Sequence, residues 1–237
     1  MNIFRDLIRT FIPAMCPVCG GLPADGTANM FCADCLEKIR FVQEPLCPGC
    51  GGSLTGMLDM CPDCLQAEAE RPWAKAFSLY RMEHFGKELI HRFKYQNSPE
   101  LARPLGHLAQ MRFGDALRAE QFDLIVPVPL HWFRMIQRGY NQSEVLAQSL
   151  GRELNIPCCN VLRRRKWTSQ QAKLTKKERI SNLKGAFSIK NSTNVKKRAI
   201  LLVDDVLTTG STLASATNSL LAAGAGRVCI FVIARRQ

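Results

Sequence analysis

Eight cysteines fall into four C-x-x-C pairs: Cys16/Cys19, Cys32/Cys35, Cys47/Cys50 and Cys61/Cys64. Two thiolates three residues apart on a tight turn reach one metal ion, and two such turns complete the tetrahedron that zinc accepts in closed sites. The CPxCGG form at 16–21 and 47–52 supplies the turn. Proline sets φ early, and glycine lets the chain curl its amides toward sulfur. The pairs are separated by 12, 11 and 10 residues, intervals that suit zinc ribbons. MCPVCGG (15–21) returns as LCPGCGG (46–52), and FCADCL (31–36) as MCPDCL (60–65). This repeat matches sequential pairing around two zinc ions, although the spacing also allows an interleaved arrangement. Sites filled entirely by sulfur are structural. A segment of about 50 residues buries too little apolar surface to fold alone, and metal binding makes up the deficit. Cys158, Cys159 and Cys229 stand outside the set, Cys229 as a small core residue of an apolar strand.

A second constellation is AILLVDDVLTTGSTL, residues 199–213. Four apolar residues read as a buried strand ending in Asp204 and Asp205. A loop of Thr208, Thr209, Gly210, Ser211 and Thr212 follows, and a helix begins near Ser211. Open α/β sheets bind ligands at the carboxyl ends of their strands. Loop amides and hydroxyls at a helix N-terminus suit a phosphate, and Gly210 permits close backbone approach. The two acids can accept hydrogen bonds from a sugar diol or assist a bound magnesium ion. The alternative is an ordinary strand–loop–helix with an N-capping hydroxyl.

These residues need a scaffold, and the sequence outlines one. The cysteine-rich stretch lacks sustained periodicity and is followed by a polar linker ending in Pro72. Beyond it, strands are predicted at 76–80, 123–130, 198–205 and 228–234. Helices are predicted at 86–95, 100–118, 140–154 and 211–226, the last capped by Gly224 or Gly226. Strand–helix alternation predicts an α/β domain with a mostly parallel sheet flanked by helices. The expected organisation is a short amphipathic helix at 1–12 (Ile3, Phe4, Leu7, Ile8, Phe11), a double zinc ribbon at 13–70, and the α/β domain at 71–237.

With 46% hydrophobic and 22% charged residues, the chain reads as globular. Asp6 and Arg9 interrupt the apolar residues of the N-terminal segment, so no export signal is expected there. No apolar run approaches the ~20 residues of a membrane helix. A cytoplasmic protein that does not span a membrane is expected, with metal-bound rather than disulfide-bonded cysteines. The net charge of +12 is local: residues 152–198 carry 14 Lys/Arg against 2 Asp/Glu, whereas residues 1–75 carry 6 against 9. A basic segment of this kind points to an anionic partner at one face, or to a solvated loop.

The 199–213 stretch resembles the signature of type I phosphoribosyltransferases. DLIVPVPLHWFRMIQRGYNQSEVLAQSLG (123–151) resembles the VPVP…RGYNQ segment of the ComF/GntX family. RRRKWTSQQAKLTKKERISNLKGAF (163–187) resembles that family's basic loop, through Thr168, Gln171, Leu174, Arg179, Asn182 and Phe187. LYRMEHFGKELIHRFKY (79–95) is similar to its entry strand and helix. With the cysteine pairs, the resemblance covers nearly the whole chain.

The resemblance implies a type I phosphoribosyltransferase-like fold that binds phosphoribosyl pyrophosphate with magnesium. Asp204 and Asp205 would take the ribose hydroxyls and Thr208–Thr212 the 5-phosphate. Arg134, Arg138, Gly139 and Tyr140 would lie near the pyrophosphate, unless Arg138 merely pairs with a surface acid. The family association is with DNA uptake in competence and with DNA as a nutrient, which implies single-stranded DNA and a competence helicase or other uptake protein as partners. The basic loop, from Arg163 to Arg179, could close over a substrate or contact nucleic-acid phosphates with Trp167 stacking on a base. Two functions follow: transfer or removal of a phosphoribosyl group, with positioning and charge stabilisation but no designated general base, or a non-catalytic adaptor that binds single-stranded DNA. His84, His91, His107 and His131 have no ligand spacing and no assigned role.

Overall fold

The computed structural model describes residues 15–23, 30–56, 58–67, 71–164, 186–190 and 194–236. The expected 1–12 helix lies outside these residues, as does the basic segment from Arg165 to Lys184.

Four strands form a wholly parallel sheet: β1 (Ala76–Arg81), β2 (Leu124–Pro127), β5 (Ala199–Leu207) and β6 (Arg227–Arg235), in the order β1-β6-β5-β2. Both faces are covered, which explains the unbroken apolar runs of β5 and β6. Leu201, Val203, Cys229, Phe231 and Ile233 point to one core, and Ile200, Leu202, Val228, Ile230 and Val232 to the other. The first core is closed by α3 (His84–Tyr95), α4 (Ala102–Ala119) and α6 (Gln142–Leu154). The second is closed by α7 (Ser211–Ala222) and by an antiparallel hairpin of β3 (Leu162–Arg164) and β4 (Phe187–Ile189).

The cysteine-rich region contributes two short helices, α1 (Ala33–Glu37) and α2 (Pro62–Leu65). Its two halves straddle the sheet. Cys16, Cys32 and Cys35 belong to the first core, and Cys47, Cys50, Cys61 and Cys64 to the second. Between them, residues 40–42 run antiparallel beside β1: Arg81 N donates to Arg40 O at 2.9 Å and Val42 N to Leu79 O at 3.2 Å. On the opposite edge, Pro157 O accepts from Ile125 N at 2.8 Å, and Cys159 N donates to Ile125 O at 3.0 Å. Backbone from other segments therefore engages both sheet edges.

Several details differ from the sequence expectation. β5 continues through Asp204 and Asp205 to Leu207, because the β6 register extends from Ala199↔Arg227 to Leu207↔Arg235. The acids thus lie within the strand, two residues before its end. A further helix, α5 (Trp132–Arg138), follows β2. None of its residues is buried, so its apolar residues form no core-facing stripe for periodicity to detect. α6 begins at Gln142, since Asn141 caps it by accepting from Ser143 N. α7 ends at Ala222, and Gly224 supplies the left-handed turn at φ +90°. No described helix is long and apolar enough to cross a membrane.

Candidate functional site

The carboxyl ends of β5 and β6 bring the acid pair and the hydroxyl-rich loop together. Asp204 Oδ1 accepts from Ser143 Oγ at 2.7 Å and from Asp205 N at 2.9 Å. Asp205 is buried and pairs with Lys94 Nζ at 3.0 Å. Burial, followed by the like charge of Asp205, pushes the Asp204 carboxyl up to about 6, while Ser143, the Asp205 amide and Lys94 act in the opposite sense. The acids are therefore held in unequal surroundings, one facing a cation and one facing neutral donors.

Beyond Leu207 the chain turns outward. Thr208 and Thr209 are exposed, and Ser211 and Thr212 are half-buried. Thr209 Oγ1 and Ser211 Oγ lie 3.0 Å apart. Gly210, at φ +81°, is the N-cap of α7 and offers no side-chain acceptor to the helix. The N–H groups of Thr208, Thr209, Gly210 and Thr212 make no hydrogen bond to any described residue. Open amides at the start of a 12-residue helix form a ready anion cradle.

Basic side chains stand around the acids. Arg164, on β3, is half-buried and lies over the Phe187 ring. Burial lowers its pKa, and nearby Arg134 adds to this, while Asp204 favours its charged form. Arg138 is held by neutral groups. It donates to Gln142 Oε1 at 3.1 Å and to Tyr95 Oη at 3.4 Å, with its guanidinium 5.0 Å from the Tyr95 ring centre. Among the described residues no acid pairs with Arg138, and these contacts put it beside the α6 N-terminus that carries Ser143. Tyr140 Oη donates to Phe93 O, and Asn141 Nδ2 to Val128 O at 3.1 Å, tying α3, β2 and α6 together at this end. Gly139 closes α5 at φ +76°. His131 caps α5, with Nδ1 accepting from Phe133 N.

Lys94, Ser143 and Arg164's approach to Asp204 were not legible as site features in the sequence. Lys94 reads as the polar side of an amphipathic helix, and Ser143 as a residue of a capped helix turn. Their meaning arises only from long-range packing of α3, α6 and β3 against the end of β5.

The cysteines resolve into two groups, Cys16/Cys19/Cys32/Cys35 and Cys47/Cys50/Cys61/Cys64, each with all four sulfurs within 4.8 Å of one another. The pairing is sequential. Four sulfurs at zinc bond lengths of ~2.3 Å would lie about 3.8 Å apart, and the groupings fit that size. Gly21 N points to Cys19 Sγ and Cys61 N to Cys47 Sγ, both at 3.4 Å, as thiolates require. All eight cysteines are free of disulfides. Both groups fit structural zinc, with no position left for substrate.

A double zinc ribbon, and an acid pair followed by a hydroxyl-rich loop on a parallel sheet, define a phosphoribosyltransferase-type protein with a ribbon module. Comparison agrees. Residues 7–65 match the model of the double zinc ribbon domain and residues 94–237 that of the phosphoribosyl transferase domain. Competence protein F of Haemophilus influenzae is 38% identical over 212 residues, covering 87% of this chain and 91% of that protein. DNA utilization protein YhgH of Escherichia coli K12 is 33% identical, covering 94% and 98%. Competence protein ComFC of Bacillus subtilis is 28% identical, covering 86% and 83%. The chain belongs to the ComF family of competence and DNA-utilization proteins.

Proposed function

We propose that this protein binds phosphoribosyl pyrophosphate, or a related ribose 5-phosphate ligand, with magnesium, and acts in the cytoplasm in the uptake or use of DNA. One observation carries the reading: two adjacent carboxylates within β5 precede a helix N-terminus whose loop amides are unengaged by described residues. In this reading the 5-phosphate is gripped by the amides and hydroxyls of Thr208–Thr212. The ribose hydroxyls donate to Asp204 and Asp205. Lys94, Arg134, Arg138 and Arg164 provide positive potential for a pyrophosphate group. Magnesium would be held by the two carboxylates and would offset phosphate charge. Should the group be transferred, the sugar passes through a cationic state that needs positioning more than a nucleophile. The similarity to a competence protein and to a DNA utilization protein supports the link to DNA.

The test is a calorimetric titration of the zinc-loaded protein with phosphoribosyl pyrophosphate, with and without magnesium. Wild type is expected to bind with magnesium, and the double variant Asp204→Asn/Asp205→Asn to lose at least tenfold in affinity, about 1.4 kcal/mol. Absence of wild-type binding would refute the reading.

The surface of α5 favours a second reading, a single-stranded DNA adaptor. Trp132, Phe133 and Ile136 are 66%, 50% and 74% exposed on a helix that also carries Arg134 and Arg138. Aromatic faces interleaved with arginine suit stacked bases and phosphates. Replacing Trp132 and Phe133 with alanine should weaken binding of a single-stranded oligonucleotide by about tenfold or more. Unchanged affinity would remove this reading.

A further inference from the structure

The second tetracysteine site forms part of the wall behind the phosphate loop. Gly49 lies between the ligands Cys47 and Cys50, and its carbonyl accepts from Trp73 Nε1 at 3.0 Å and from Arg71 Nη1 at 2.7 Å. Trp73 is buried, and the far end of its indole faces Gly210. A Cβ at Gly210 would stand 3.1 Å from Trp73 Cη2 and 3.5 Å from Leu207 Cδ1. One side chain thus touches a metal knuckle at its polar end and the phosphate loop at its apolar end.

A second connection runs alongside. Ser78 Oγ donates to Cys50 O at 2.7 Å. Arg235 packs against Gly52, where a Cβ would come within 1.8 Å of its guanidinium, and reaches Asp63 Oδ2 at 3.3 Å. Asp63 lies between the ligands Cys61 and Cys64. Arg235 is also the strand partner of Leu207, the residue from which the loop departs, and Arg236 N donates to Leu207 O at 2.9 Å. The first tetracysteine group belongs to the core on the other face of the sheet.

We propose that Trp73 is a positioning residue through which the second tetracysteine site sets the conformation of residues 208–212. Metal bound by Cys47, Cys50, Cys61 and Cys64 fixes the two-residue turn that carries Gly49 O. That carbonyl fixes the indole plane, and the indole fixes the back of Gly210. The amides of the loop can face a common anion only while this stack is intact. Order in the loop depends on the second zinc and only weakly on the first. The ligand-affinity arm of the test rests on the proposed phosphoribosyl reading; the loop-order arm does not.

The experiment compares full-length, zinc-loaded wild type with Trp73→Phe and Trp73→Ala. Trp73→Phe keeps a shorter ring directed at Gly210 and removes the N–H. Zinc content, peptide-level amide exchange and phosphoribosyl pyrophosphate affinity are measured on each. Both variants should retain two zinc ions. Exchange of the Ala214 and Arg236 amides, which bond Gly210 O and Leu207 O, should rise in Trp73→Ala, and less in Trp73→Phe, with β2 and α4 peptides unchanged. Affinity should fall about threefold to tenfold in Trp73→Phe, the worth of one buried hydrogen bond, and further in Trp73→Ala. By reciprocity, saturating ligand should protect one of the two zincs from a chelator in wild type but not in Trp73→Ala. Unaltered exchange at Ala214 and Arg236 in Trp73→Ala overturns the proposal, as does a uniform rise over the whole chain. If wild type does not bind the ligand, the phosphoribosyl reading fails, and loop exchange alone decides the role of Trp73.

Discussion

Asp204 and Asp205 are neighbours in sequence, yet their surroundings differ. Asp205 faces Lys94, whereas Asp204 faces Ser143 Oγ and a backbone N–H. Burial, followed by the like charge of Asp205, pushes the Asp204 carboxyl up from the ordinary 3.8 to about 6. A raised folded-state pKa means that the folded chain holds its proton more tightly than the unfolded one. The resulting stability is fully present below about pH 4 and is lost as pH rises through about 6. Asp204→Asn removes this loss while its Oδ1 can still accept from Ser143. Denaturant unfolding should therefore show the variant as stable as wild type, or more stable by about 1 kcal/mol, at pH 8, since water screens part of the carboxylate. At pH 4 the gap should close. A variant several kcal/mol weaker at pH 8 would show that Asp204 is a structural acid and not a functional one. The same residue should make ligand affinity rise between pH 5 and 7 beyond the change in Asp204→Asn, which isolates Asp204 from titration of the ligand's own phosphates.

Among the elements, the β5–loop–α7 unit carries the most consequence. Gly210 combines a left-handed φ of +81° with close approach of the Trp73 ring. Gly210→Ala should cost about 1–2 kcal/mol from backbone conformation alone, measured by denaturant unfolding, and more if the indole cannot yield. A cost near zero would mean that the loop adopts another shape. This unit was readable in the sequence because strand, acids, glycine and hydroxyls are contiguous. The cysteine pairs were readable because metal geometry demands short spacing, and the structure selects sequential over interleaved grouping. α5 was not readable, since Trp132, Phe133 and Ile136 point outward where a core-facing stripe is the usual signal. The β3–β4 hairpin was hidden because its register joins Leu162 with Ile189 across a long intervening segment. Trp73, one residue past the Pro72 that ends the linker, carried no signal of its own. Its hydrogen bond to Gly49 and its contact face toward Gly210 depend on three segments meeting.

At the scale of the whole molecule, the cysteine-rich region is an edge cover as well as a metal module. Residues 40–42 pair with β1, and the two tetracysteine groups extend the cores on opposite faces of the sheet. A chain beginning at Arg71 should expose the β1 edge at Leu79 and Arg81 and the backbone of Ala76–Ser78 that Gly51 lies against. Size-exclusion chromatography should show it aggregated, whereas zinc-loaded full-length protein elutes as a defined species. A stable, discrete product from the shortened chain would show that the ribbons are dispensable to the sheet. The role of the β5–loop–α7 unit is decided by where a sugar phosphate sits. The direct measurement is a crystal structure of the full-length, zinc-loaded protein with phosphoribosyl pyrophosphate and magnesium. The expected density has the 5-phosphate against the amides of residues 208–212 and the ribose hydroxyls on Asp204 and Asp205. Ligand bound elsewhere, with the 208–212 turn empty at saturating concentration, would contradict it.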